Sequence, residues 1–106
     1  NNYLNLKNMF VAEIDGYESN SKKGFMVQMD NAFGFPPYFG ENWDALWDCM
    51  KDLYWINENN FIIKITNSDQ LTRKNKDKIL SFLNELKEHW ESPIGKSNYT
   101  LKIQLV

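Results

Sequence analysis

Phe61-Ile62-Ile63-Lys64-Ile65-Thr66 reads as the second strand of the chain, and helical patterns lie on both sides of it. Toward the N-terminus, Asn42 is a good cap for a helix running roughly from Trp43 to Leu53. Its positions 43, 46, 47, 50 and 54 are Trp, Leu, Trp, Met and Tyr, apolar or aromatic side chains at helical spacing. Before it, Pro36-Pro37 enforces an extended loop. Ser19-Asn20-Ser21 offers caps for an earlier helix that carries Phe25, Met29, Ala32 and Phe33 at helical spacing and ends at Gly34. Met9-Phe10-Val11-Ala12-Glu13-Ile14 reads as a mostly buried strand closed by a turn at Asp15-Gly16. Toward the C-terminus, Asn67-Ser68-Asp69 opens a short polar helix or turn. Asn75 to about Glu91 is the clearest helix, with Ile79, Phe82, Leu83, Leu86 and Trp90 on one stripe. Ser92-Pro93-Ile94-Gly95 stops it, and Thr100 to Val106 alternates Leu101, Ile103 and Leu105 with Lys102 and Gln104, a half-buried or edge strand.

The resulting order, β-α-α-β-α-β, places helices between every pair of strands and predicts an α/β fold with a small parallel sheet and right-handed crossovers. No repeat, low-complexity tract or linker divides the chain, so residues 1–106 read as a single domain. At 106 residues, 42% hydrophobic and 25% charged, the composition is that of an ordinary globular domain able to fold without metal or disulfide staples. One cysteine, Cys49, excludes an intrachain disulfide and a cysteine-rich zinc site and fits a reducing compartment. No run approaches the ~18 apolar residues of a membrane span, and nothing resembles a secretory signal.

A net charge of −2 argues against general nucleic-acid binding, and its distribution is more telling than its sum. Between Val27 and Asn60 there are six acids and one base, or −5, which leaves +3 for the remainder. Nine of the sixteen aromatic residues also fall between Phe33 and Phe61. Solvent faces are normally acidic without being aromatic, and cores the reverse; the overlap indicates a surface built for a partner.

The unusual choices concentrate in Pro37-Tyr38-Phe39-Gly40-Glu41-Asn42-Trp43-Asp44-Ala45-Leu46-Trp47-Asp48-Cys49-Met50. On a helix, Asp44, Asp48 and Asp52 stand one turn apart, a like-charge row that costs an isolated helix about 0.2–0.5 kcal/mol per pair. Asp44 lies in the first turn, where the macrodipole favours an anion; Asp48 and Asp52 gain nothing from it. Two readings account for the row, a solvated face opposite the Trp43/Leu46/Met50 stripe and an anionic rail for a basic partner. Tyr38, before the turn that Gly40 permits, and Trp47 are rings suited either to the core or to flanking such a rail. Two carboxylates from one helix, without loop ligands, make a poor Mg²⁺ or Ca²⁺ site, so no metal and no cofactor is expected.

Tyr38-Phe39-Gly40-Glu41-Asn42-Trp43-Asp44-Ala45-Leu46-Trp47-Asp48-Cys49 strongly resembles the barstar family of intracellular ribonuclease inhibitors. Outside this motif the agreement is one of element order. The resemblance implies a three-stranded parallel sheet packed with helices, and tight binding to a secreted, basic microbial ribonuclease of barnase type inside the producing cell. It implies that Asp48 is the central carboxylate entering the nuclease's phosphate site. Asp44 would be the flanking acid that pairs with an arginine, Tyr38 the ring that stacks on the catalytic histidine, and Trp47 the tryptophan beside it. Glu85, aligned through Ile79-Leu80-Ser81-Phe82-Leu83-Asn84-Glu85-Leu86-Lys87, resembles an acid on the neighbouring helix that adds a second anionic contact. Gly40 and Asn42 resemble the turn and cap that hold loop and helix in place. Asp52 stands where the family ends the helix with glycine, so the helix is expected to run on and present an extra acid to the partner. The segment Tyr54 to Asn60, the loop Trp90 to Ser97 and a leader before the first strand depart from the family pattern and imply a different cognate nuclease.

Other chemistry is thin. His89, the sole histidine, falls on a polar helix face near Glu85 and Glu88. Cys49 has acidic neighbours that disfavour a reactive thiolate. Arg73, Lys74, Lys76 and Lys78, with Asp77, form the solvated start of the long helix, a weak footprint for nucleic acid. No Gly-rich phosphate loop or zinc motif is present. The expectation is a cytoplasmic, non-enzymatic immunity protein or antitoxin, monomeric when free. It would bind a secreted or toxin ribonuclease one to one by phosphate mimicry, with no direct contact to nucleic acid or membrane. The rival is an adaptor that uses the same acidic face, or an immunity protein for an effector that is not a ribonuclease.

Overall fold

The computed structural model describes residues 9–94 and 98–106. Strand β1 (Met9–Asp15) leads through a 3-10 turn (Tyr17–Ser19) to helix α1 (Lys22–Phe33), and helix α2 (Trp43–Asp52) follows a loop. Strand β2 (Asn60–Thr66), a second 3-10 turn (Ser68–Gln70), helix α3 (Arg73–Glu91) and strand β3 (Thr100–Leu105) complete the order β-α-α-β-α-β. The three strands form one parallel sheet in the order β1-β2-β3, so β2 is central. Its register aligns Phe10 with Phe61 and Leu101, Ala12 with Ile63 and Ile103, and Ile14 with Ile65 and Leu105. The barstar-like α/β architecture expected from the sequence is the one observed.

Period-two alternation turns Phe61, Ile63 and Ile65 toward the helices, where none is exposed, together with Ala12, Ile14 and Leu101. Against them pack Phe25, Met26, Met29 and Phe33 of α1, Leu46, Cys49 and Met50 of α2, and Ile79, Phe82, Leu83, Leu86 and Trp90 of α3. The opposite face of the sheet carries Val11, Glu13, Lys102 and Gln104, all exposed.

Local signals set the helix ends. The Ser21 hydroxyl accepts from the amide of Gly24 to start α1, and Gly34 ends it at φ 64 in the left-handed region. Thr72 caps α3 through the amide of Asn75, so that helix begins at Arg73, two residues earlier than the spacing suggested. Asn20 is not a cap but a bridge. Its side chain donates to the Gln70 carbonyl and accepts from the Thr72 amide, locking the starts of α1 and α3 together. Helix α3 stops where the sequence predicts, at the start of Ser92-Pro93-Ile94-Gly95, with Ser92 as its C-cap. Residues 95–97 of the loop from Trp90 to Ser97, Gly95 among them, and the leader before Met9 lie outside the described residues.

Candidate functional site

Helix α2 carries the acidic row, and its position follows from how both ends are fixed. Asn42, in extended backbone, accepts from the Ala45 amide through its side-chain oxygen at 2.8 Å and donates from its nitrogen to the Gly40 carbonyl at 3.3 Å. A cap of this kind contributes about 1 kcal/mol. The turn itself differs from the sequence expectation: Glu41, not Gly40, takes the left-handed conformation, at φ 53. At Gly40 the space is tight instead: a Cβ there would lie 3.3 Å from the Asn42 side-chain nitrogen, so the cap would have to shift by a few tenths of an ångström.

At its other end α2 does not run on. It stops at Asp52, and Leu53 turns left-handed at φ 49 with its amide donating to the Cys49 carbonyl. This corrects the expectation drawn from the missing glycine. The conformation glycine would supply is taken one residue later by a leucine, held there by complete burial of its side chain.

The buried stripe of α2 is Leu46, Cys49 and Met50. Trp43 is wedged between Phe25 and Phe82, with ring centroids 5.6 Å from each. Trp47 meets Phe82 edge-on at 6.0 Å and His89 at 5.3 Å, both on α3. His89 is therefore half-buried against the site and not simply placed on a polar face. The opposite side of α2 presents Asp44 and Asp48 to solvent, while Asp52 is half-buried. Asp48 pairs with Lys51 at 3.3 Å; the pair is exposed and contributes little stability. Glu85, exposed on α3, shares a shallow groove with Trp43, Lys78, Ser81 and Phe82.

Tyr38 and Tyr54 flank the C-terminal end of α2. Tyr54, which continues the helical spacing in the sequence, is 64% exposed because the helix ends before it. Its hydroxyl lies 3.2 Å from that of Tyr38, which is 71% exposed. That hydrogen bond, followed by local burial and the charges of Tyr54, Cys49 and Asp52, pushes the Tyr38 phenol up to about 12. Burial, then Asp48 and Asp30, raises the Cys49 thiol, so it is not a nucleophile in waiting.

Sequence reasoning missed two residues of this region, Tyr54 and His89. The available signal for Tyr54 was the run Leu53-Tyr54-Trp55-Ile56, four large side chains in a row that one helix cannot all turn inward. Among the described residues, no group of three or more His, Cys, Asp or Glu could hold a metal ion. What the site offers is exposed carboxylates on the same helix as the partly exposed ring of Trp47, groups whose chemistry suits a cation.

Fold and face together define an α/β module with an acidic helix packed on its core. The chain matches the family model described as Barstar (barnase inhibitor) over residues 9–105, and it belongs to that family. Barstar proteins are inhibitors of barnase-type ribonucleases, not enzymes. No curated protein matches the chain. Among the described residues no helix is long and apolar enough to cross a membrane.

Proposed function

We propose that the chain is a cytoplasmic immunity protein that inhibits a barnase-type or related microbial ribonuclease one to one, closing the active site with α2 and the Tyr38 loop. The observation that carries this reading is the exposure of Asp44 and Asp48 along a helix whose opposite side is locked into the core. A ribonuclease must gather Arg, Lys and His⁺ to hold phosphate; a rigid row of carboxylates presents those cations with the charge they are built to bind. In this role Asp48 occupies the phosphate site and Asp44 pairs with a flanking arginine. Tyr38 and Trp47 supply ring contacts, and Asp52 and Glu85 extend the anionic surface. Gly40 and Asn42 set the pose of the helix, and no turnover chemistry is involved.

The test is titration of the protein into an activity assay of a barnase-type ribonuclease. Loss of activity that is complete at one equivalent is the expected result. Full activity at excess inhibitor overturns the reading and favours an acidic-face adaptor or immunity toward another kind of effector.

A further inference from the structure

We infer that Tyr54 is a partner-binding residue in its own right, and that its hydrogen bond to Tyr38 makes the two phenols meet the basic partner as one unit. This rests on the reading of the chain as an inhibitor of a basic ribonuclease and adds to it a second anchor, at the end of α2 away from Asp44.

Neither ring is buried in the core: both stand mostly in solvent while their hydroxyls meet at 3.2 Å. Holding two exposed side chains in one geometry costs conformational entropy, and the surrounding structure meets that cost before any partner arrives. Leu53, buried and left-handed, turns the chain so that Tyr54 leaves the helix. Tyr54 then rests edge-on against Trp55, ring centroids 5.1 Å apart at 86°. Trp55 is itself fixed, because its indole N–H donates to the Phe33 carbonyl at 2.9 Å and its ring meets Phe35 edge-on. A chain of contacts from the core thus sets the ring of Tyr54, and through the hydroxyl contact the ring of Tyr38.

The local field selects the ligand. The pair sits where the C-terminal end of α2 carries partial negative charge, and the Asp52 charge reaches the Tyr38 phenol. Two ring faces with negative quadrupoles in a negative field favour a cation, and a flat one, guanidinium or imidazolium, can lie on a ring while its N–H groups reach the phenolic oxygens. One hydroxyl hydrogen is used within the pair, and the phenolic oxygens keep lone pairs to accept from the N–H groups of the cation.

Two measurements test this. Phenol titration of the free protein by NMR, with Tyr38 assigned through Tyr38→Phe, should show Tyr38 titrating near 12 in the wild type. In Tyr54→Phe it should move back toward the ordinary phenol value of about 10. In complex with a barnase-type ribonuclease, Tyr54→Phe should speed dissociation by about 3–10-fold through the lost hydroxyl. Tyr54→Ala should speed it by about 10–50-fold, since the ring goes too. A Tyr38 titration unchanged in Tyr54→Phe, or a Tyr54→Ala complex as long-lived as the wild type, overturns the inference. Failure of the wild-type protein to inhibit is a separate result, which overturns the proposed function while the free-protein titration still decides whether the pair exists.

Discussion

The Tyr99 phenol donates a hydrogen bond of 2.8 Å to the backbone carbonyl of Asp52, joining the residue that leads into β3 to the last turn of the acidic helix. The final carbonyls of a helix have no partner within it, and this side chain from elsewhere in the fold supplies one. Tyr99 can do so because it is buried, edge-on to Trp90 and beside Phe61, so its hydroxyl has a fixed direction. The sheet thereby secures the end of α2 that carries Asp52 and precedes Tyr54.

Tyr99→Phe removes that bond and keeps the ring. The expected loss of stability is about 1 kcal/mol, the net contribution of an ordinary hydrogen bond. It should be read as a lower urea midpoint with an unchanged slope. A midpoint equal to that of the wild type would show that the bond does not secure the helix.

Among the carboxylates, Asp48 stands in the middle of the row and should matter most. Removing one member of a desolvated, hydrogen-bonded ion pair costs about 3–5 kcal/mol, so Asp48→Ala should weaken ribonuclease binding by more than about 100-fold. Asp44→Ala, Asp52→Ala and Glu85→Ala should each lose less. Lys51→Ala frees Asp48 from its exposed partner and takes the acidic segment from −5 to −6, so it should speed association with little effect on stability. Surface plasmon resonance across the set gives the ranking, and wild-type affinity in Asp48→Ala would refute the mechanism.

Charge concentrated between Val27 and Asn60 should steer a basic partner from a distance, an effect for which barnase and barstar are themselves the standard example. The Debye length shrinks from about 30 Å at 0.01 M salt to about 3 Å at 1 M. The association rate should therefore fall steeply over that range in stopped-flow measurements, with the dissociation rate changing far less. A salt-independent association rate would remove steering from the account.

The strands and the three long helices were legible because each answers to a local rule: alternation in Thr100 to Val106, a 3.6-residue stripe from Ile79 to Trp90, an asparagine cap before Trp43. The motif likewise located the acidic row, since Asp44 and Asp48 need only helical periodicity to stand on one face. What escaped were choices made by tertiary packing. Leucine has no preference for the left-handed region, so although the spacing ended the helix near Leu53, nothing in its identity marks it as the residue that turns; burial of its side chain decides that. That turn takes Tyr54, which continues the helical spacing in the sequence, out to the surface. His89 escaped for a related reason, because its contact with Trp47 depends on how α3 lies against α2. The glycine at position 40 suggested a turn of positive φ, yet the strained residue is its neighbour Glu41.

Alkaline pH should destabilise the protein in a defined order. Burial, then Asp48 and Asp30, raises the folded Cys49 thiol above its ordinary value of 9.0. Burial and Asp52 raise Tyr99 above its ordinary 10.0. A group whose folded pKa lies above its unfolded one contributes fully below the unfolded value. As pH rises past that value the unfolded chain loses its proton first, and stability falls until the folded group titrates as well. Urea midpoints should therefore be flat through neutral pH, decline as pH passes the ordinary thiol value, and decline further once Tyr99 and Tyr38 enter their range. Cys49→Ala lowers stability at every pH through lost packing but should remove the earliest part of the decline. Equal slopes for Cys49→Ala and the wild type between about pH 8.5 and 9.5 would show that the thiol is not held protonated by the fold.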